Sequence, residues 1–258
     1  MHTGGQIPEV AGPPQALRPD ACAFFLDLDG TLLELAPHPD AVRAEPRLLE
    51  LLRALAQRSG GALALVSGRS IATLDTLLQP LKLPASGLHG FERRNAAGTV
   101  VQRELPDRRA LAHARRFLQA LIAKEPRLLL EDKGVALALH YRQAPQLESE
   151  VVDAVTAMAA GLSGSLRLQR GRMVIELAPA AVSKATAIAE FMREEPFNGR
   201  LVLYAGDDLT DEPAFEWVNA AGGISVAVDV AHPTSARTRL ASVAAVHAWL
   251  RALLNVTE

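Results

Sequence analysis

Apolar positions along this chain follow two alternating rhythms. Short, nearly unbroken apolar runs at 23–28, 62–66 (Ala62-Leu63-Ala64-Leu65-Val66) and 201–205 (Leu201-Val202-Leu203-Tyr204-Ala205) predict strands buried on both faces. Between the first two, Leu48, Leu51, Leu52 and Leu55 recur at helical spacing in a segment opened by Pro46 and closed by Gly60-Gly61. A second helix runs through Leu74, Leu77 and Leu78, and Pro84 to His89 predicts a short third strand. Pro37-His38-Pro39 marks a loop. Strand–helix–strand–helix–strand at this spacing predicts a parallel sheet with right-handed crossovers, whose ligand site lies outside the carboxyl ends of the strands.

From about residue 91 the rhythm changes. Glu92–Asn95 and Thr99–Arg103 flank Ala96-Ala97-Gly98 as a hairpin. A helix at 107–123, strands at 127–131 and 135–141 joined by Asp132-Lys133-Gly134, a helix at 146–160 and strands near 165–169 and 173–177 follow. Such an αββαββ run predicts an antiparallel sheet with helices on one face, inserted at 104–175. Past Pro179 the parallel style returns with a helix at 183–194, the strand at 201–205, a helix at 211–220, a strand at 224–228 and an amphipathic helix at 242–254. The core would thus comprise 21–103 and 176–258, after a flexible lead-in at 1–20 that is rich in Gly and Pro.

Composition narrows the classes. Hydrophobic residues make up 49% and aromatics 4%, so Leu, Ala and Val must form the core. Twenty-seven Lys and Arg against 29 Asp and Glu give a net charge of −2, and nothing in that balance suggests nucleic acid or an anionic membrane as partner. The single cysteine, Cys22, excludes an intramolecular disulfide and a cysteine metal cage. With no signal-peptide pattern and no apolar stretch of spanning length, a cytoplasmic location is expected.

The candidate chemistry gathers at predicted strand and helix ends. Asp27 and Asp29 are i and i+2 at the end of the first strand, so their carboxylates can converge, and Gly30 allows a sharp turn and close approach to a ligand. Two converging carboxylates call for a positive partner, and a hard divalent cation serves. Ser67 stands beside a helix N-terminus that favours an anion, Lys184 brings a fixed cation, and Asp207 and Asp208 end another strand where they can complete a metal site. Carboxylates, a cation, a hydroxyl and a lysine together suit phosphoryl transfer. Each has a blander reading alone: Ser67 as a helix cap, Lys184 as a solvated lysine, Asp211 and Glu212 as first-turn acids. An EF-hand calcium loop is disfavoured because the third Asp or Asn before the glycine is missing.

The ordered set Phe25-Leu26-Asp27-Leu28-Asp29-Gly30-Thr31-Leu32, Ser67-Gly68-Arg69, Lys184 and Gly206-Asp207-Asp208-Leu209-Thr210-Asp211-Glu212 resembles the haloacid dehalogenase superfamily of phosphatases. Gly87-Leu88-His89-Gly90, Glu131-x-Lys133-Gly134 and Ala138-Leu139-His140-Tyr141-Arg142 make it similar, within that superfamily, to the trehalose-phosphate phosphatases. The resemblance implies an α/β fold: a Rossmann-like parallel-sheet hydrolase core with an inserted α/β cap domain. It implies Asp27 as the nucleophile that becomes an aspartyl phosphate, and Asp29 as the acid and then base. Mg²⁺ would be held by Asp27, the Asp29 backbone and Asp207, with Asp208 and Asp211 orienting that shell. Thr31, Ser67, Gly68 and Lys184 would bind phosphate, and Glu131, Lys133, Glu176, His140 and Arg142 in the cap would contact the sugar of trehalose 6-phosphate. Glu131 and Lys133 read without the resemblance are a surface ion pair. Other sugar phosphates, such as those of sucrose or mannosylglycerate, and a catalytically silent phosphosugar-binding module are the alternatives. A functional link to a trehalose-phosphate synthase is also expected. Between Glu176 and Lys184 the chain departs from the family pattern, which more often has a basic residue after the Glu-aliphatic pair.

Overall fold

The computed structural model describes residues 12–14, 16–35, 43–104, 107–162, 164–171 and 173–254. The expected loop at Pro37-His38-Pro39, and residues 1–11 and 15 of the expected lead-in, lie outside the described residues.

The first apolar run forms β1 (Cys22–Leu26), buried throughout, and the next forms β2 (Leu63–Val66). Between them α1 (Pro46–Arg58) starts on its proline, which has no N–H to leave unpaired, and buries Leu48, Leu51, Leu52 and Leu55. α2 (Ile71–Leu77) is capped by the Ser70 hydroxyl, which accepts from the Thr73 N–H. β3 (Ala85–Gly87) is shorter than the expected Pro84–His89 strand, because the chain turns at Leu88–Gly90. The hairpin is present as β4 (Glu92–Arg94) and β5 (Val100–Gln102).

The inserted run gives α3 (Arg108–Lys124), β6 (Leu129–Asp132), β7 (Leu137–His140), α4 (Glu148–Ala160), β8 (Leu166–Gly171) and β9 (Val174–Pro179). The chain then returns through α5 (Lys184–Phe191), β10 (Leu201–Gly206), α6 (Glu212–Ala220), β11 (Ile224–Val228), β12 (Thr238–Leu240) and α7 (Val243–Leu254). β12 was not anticipated: it has three half-buried residues and no alternation to betray it.

One sheet runs β12-β11-β10-β1-β2-β3-β4-β5, parallel from β12 to β3 and antiparallel through the hairpin. Alternate residues of β1 feed opposite faces. Phe24 and Leu26 pack against α1, α2 and α7, while Ala23 and Phe25 pack against α5 and α6. Phe25 joins Phe191 and Phe197 in an aromatic trio with ring centroids 5.1–5.8 Å apart. The second sheet, β6-β7-β9-β8, is antiparallel, and Leu137, Leu139, Ile175 and Leu177 pack on α3 and α4 in a hydrophobic cluster separate from the other two. A small cluster of Leu88, Phe91 and Val182, with Val135 against it, lies where the two sheets meet. Among the described residues no helix is long and apolar enough to cross a membrane.

Candidate active site

β10, β1 and β2 lie side by side at the centre of the parallel sheet, and chain order reverses between β1 and β10. A ligand site is expected beyond the carboxyl ends at such a switch point. Asp27 follows β1, Ser67 follows β2 and Asp207 follows β10, so the sheet register brings together residues 180 positions apart. The Asp27 N–H donates to the Ala205 carbonyl (2.9 Å), tying the two central strand ends. Gly30 then turns the chain at φ +78°, and a Cβ there would lie 2.0 Å from Asp207 Oδ2. No other residue allows that approach.

Asp27 is 5% exposed and its Oδ2 lies 2.9 Å from Lys184 Nζ, which is itself 3% exposed. Lys184 is the first residue of α5, held by a capping box: the Ser183 hydroxyl accepts from the Thr186 N–H while the Thr186 hydroxyl accepts from the Ser183 N–H. Its ammonium also contacts Asp211 Oδ1. Burial alone would lower the Lys184 ammonium, but Asp211 and Asp27 hold it well above the usual lysine range.

Asp211 is fully buried and both its oxygens are taken: Oδ1 by Lys184 and the Tyr204 hydroxyl (2.5 Å), Oδ2 by the N–H groups of Asp207 (2.8 Å) and Asp208 (3.0 Å). Asp211 does stand in a first turn, that of the 3-10 helix Leu209–Asp211, but it is no solvated acid: it shapes the loop that carries Asp207 and pairs with Lys184. Asp27, Asp207 and Asp211 each bring a carboxylate oxygen within 4.8 Å of the others. With Asp211 spent on its four donors, Asp27 and Asp207 have oxygens left for a cation. Burial pushes Asp27 up to about 7 and Asp207 up to about 9, with neighbouring carboxylates adding to both. Oxygen donors, crowded negative charge and a single lysine to offset it fit a hard divalent ion such as Mg²⁺.

Asp29 stands apart from this cluster. Both its oxygens are held by Arg69, Nε to Oδ2 at 2.6 Å and Nη2 to Oδ1 at 2.8 Å. Arg69 lies inside the Ser67-Gly68-Arg69 motif, yet nothing in the sequence pairs it with a residue forty positions earlier. Ser67 is buried and accepts from the Arg69 N–H. Thr31 is fully buried and its hydroxyl donates to Asp207 Oδ1 (3.4 Å), so it braces an acid and does not line the cleft.

The cleft, of about 210 Å³, lies between these strand ends and the open face of the cap sheet. Glu131, Lys133, His140, Arg142 and Glu176 all line it, with Asp27, Asp29, Ser67, Gly68, Lys184, Asp207 and Asp208 opposite. Register sets Glu131 beside Ala138, Ala138 beside Glu176 and Glu176 beside Gln169, a row whose small alanine leaves room above the sheet. The ion pairing differs from the Glu131–Lys133 pair of the simplest reading. Lys133 Nζ donates to Glu176 Oε2 (2.9 Å), and Glu131 Oε2 meets His140 Nε2 (2.9 Å). Burial would raise the Glu176 carboxyl, but His89 and Lys133 hold it well below the usual range. Burial likewise opposes the lowering of Glu131 that His140 and Lys133 produce. His89 and Gln169, which sequence reasoning did not single out as site residues, are buried in the same cleft.

The trehalose-phosphatase family profile matches residues 25–244. Trehalose-6-phosphate phosphatase of Escherichia coli (strain K12) is 46% identical over 242 residues, covering 92% of this chain and 88% of that protein. The bifunctional trehalose-6-phosphate synthase/phosphatase of Thermoproteus tenax is 34% identical over 196 residues, 75% of this chain and 26% of that protein. The structure of the C-terminal domain of Candida albicans trehalose-6-phosphate phosphatase superposes with a TM-score of 0.82 at 23% identity, covering 96% of this chain and 99% of that one. With residues 25–244, more than four fifths of its length, inside the family profile and a cluster of carboxylates at the sheet's switch point, the chain belongs to the trehalose-phosphatase family of phosphoric monoester hydrolases.

Proposed function

We propose that the chain hydrolyses trehalose 6-phosphate to trehalose and phosphate with Mg²⁺, through an aspartyl phosphate on Asp27. The observation that carries this reading is the position of the buried Asp27–Lys184 pair directly across one cleft from the cap row Glu131, Glu176 and Gln169. A phosphoryl group set at Asp27 leaves its sugar facing carboxylates and a lysine, which suit hydroxyls that both donate and accept.

In the first half-reaction an Asp27 carboxylate oxygen attacks phosphorus while the sugar oxygen leaves with the proton of Asp29. In the second, Asp29 takes a proton from the water that attacks the phosphoryl group, and Asp27 is regenerated with release of phosphate. Because Arg69 holds both Asp29 oxygens, one of them must be released to the leaving oxygen when substrate enters. Lys184, Ser67 and the backbone around Gly68 take the phosphoryl oxygens. The carboxylates of Asp27 and Asp207, with the Asp29 backbone, would hold Mg²⁺, which would supply positive charge at the transferring group. The fused relative in Thermoproteus tenax supports a functional link to a trehalose-phosphate synthase.

Phosphate release from a panel of sugar phosphates, with and without chelator, tests the reading. Trehalose 6-phosphate should be the preferred substrate and chelator should stop the reaction, and Asp27→Asn should lower turnover by about three orders of magnitude or more with the fold intact. Preference for another sugar phosphate, or ligand binding without turnover, would sink it.

A further inference from the structure

Gly87-Leu88-His89-Gly90 is a motif whose chemistry the reaction above leaves unused. It holds two consecutive non-glycine residues in the left-handed region, Leu88 at φ 50° and His89 at φ 54°. Backbone of this kind persists only where its surroundings over-determine it. Here the Leu88 N–H donates to the Arg69 carbonyl (3.0 Å) and the His89 N–H to the Ser67 carbonyl (3.1 Å), so the motif is stitched along the whole phosphate loop. Its imidazole lies against that loop as well: a Cβ on Gly68 would fall 2.5 Å from His89 Nε2.

The same Nε2 lies 3.3 Å from Glu176 Oε2, the oxygen to which Lys133 donates from the cap. Glu176 is thus gripped from the core by His89 and from the cap by Lys133, both through one oxygen. Its other oxygen, Oε1, is buried with no partner among the described residues, as is Oε1 of neighbouring Gln169. A buried acceptor of this kind calls for a donor from outside the chain, and a sugar hydroxyl is one. The joint around the motif is fixed: Leu88 packs with Phe91 and Val182, and Gly90 abuts the Ser183 backbone, one residue before Lys184.

We propose that His89 is a positioning residue that keeps Glu176 in register with the phosphate loop at Ser67–Arg69, so that the cap's grip on the sugar and the core's grip on the phosphoryl group meet on one substrate. The proposal rests on the reading of Glu176 as a sugar contact given above. It assigns His89 no contact with the reacting atoms; the ring acts through Glu176.

The test uses His89→Gly, which removes the ring and suits the left-handed backbone, and His89→Asn, which also tolerates that backbone and keeps a donor. In His89→Gly, kcat/KM for trehalose 6-phosphate should fall about tenfold or more while that for p-nitrophenyl phosphate changes less than about threefold. Imidazole added to His89→Gly should restore part of the loss, and His89→Asn should fall between it and the parent. In a Glu176→Gln background, His89→Gly should cost little further, because the two residues act as a unit. Equal losses on both substrates, or additive losses in the double variant, would overturn the proposal. Failure of the parent protein to prefer any sugar phosphate over p-nitrophenyl phosphate would instead overturn the function on which it rests.

Discussion

Asp207 and Asp27 carry protons that an unfolded chain would release. Their carboxyls are pushed up by burial, to about 9 and about 7, from an ordinary value of about 4. Between those limits the folded state binds more protons than the unfolded one, so stability falls as pH rises. A divalent cation replaces those protons and removes the slope. The metal-free protein should therefore lose Tm steadily from pH 5 to pH 9, and Mg²⁺ should flatten that decline and stabilise most at the alkaline end. Thermal scans across pH, with and without the ion, check this; parallel slopes would contradict the assignment of Asp27 and Asp207 to a cation. At this scale the sequence told the reactive acids apart from their supports only in part. Asp27, Asp29, Ser67 and Lys184 stood out because each ends a strand or opens a helix. Asp211 entered only through the family resemblance and Tyr204 not at all: a first-turn acid and a strand tyrosine look ordinary until folding buries one against the other. Arg69 shows the same limit, since its partner is chosen by the sheet and not by its neighbours.

Among the elements, α5 has the most to position. Its capping box fixes where the helix begins, and its first residue is the lysine that faces Asp27. Ser183→Ala should cost about 1 kcal/mol of stability through the lost cap. It should also lower turnover disproportionately, because a frayed first turn moves Lys184 while leaving the rest of the helix packed through Ile188 and Phe191. Denaturant unfolding beside steady-state kinetics measures both; lost stability with unchanged kcat would show that Lys184 is held by its carboxylates alone. Most elements were legible because a two-sided buried strand and a one-sided helix leave different apolar rhythms. Short elements were not. β12 is three residues long, and the left-handed turn at Leu88–His89 carries no glycine at the positions that need one. The cap's register was also hidden: period-2 patterning says which residues share a face, but only pairing says that Glu176 stands between Ala138 and Gln169.

Across the whole molecule, separate hydrophobic clusters divide the labour. Two flank the parallel sheet and hold the carboxylates; a third, under α3 and α4, packs the face of the cap sheet turned away from the cleft. Leu139 is fully buried in the third. Leu139→Ala should cost about 2–5 kcal/mol by leaving a cavity. Hydrogen exchange should then quicken in α3, α4 and β7 while β1 and β10 stay protected, and activity should fall further on a sugar phosphate than on a small ester. Uniform loosening of both sheets would show that the clusters unfold as one.

The aromatic trio beneath the site has a consequence for ionic strength. Phe25 sits two residues before Asp27, and Phe191 lies two helical turns beyond Lys184, so neutral rings set how β1 meets α5 and with it the spacing of nucleophile and lysine. Dissolved ions screen exposed pairs such as Arg127–Glu125 over about 8 Å at physiological concentration, but they weaken far less a buried pair that rests on phenylalanines. Brine can loosen the rim of this cleft while the distance at which its chemistry starts stays written in hydrocarbon.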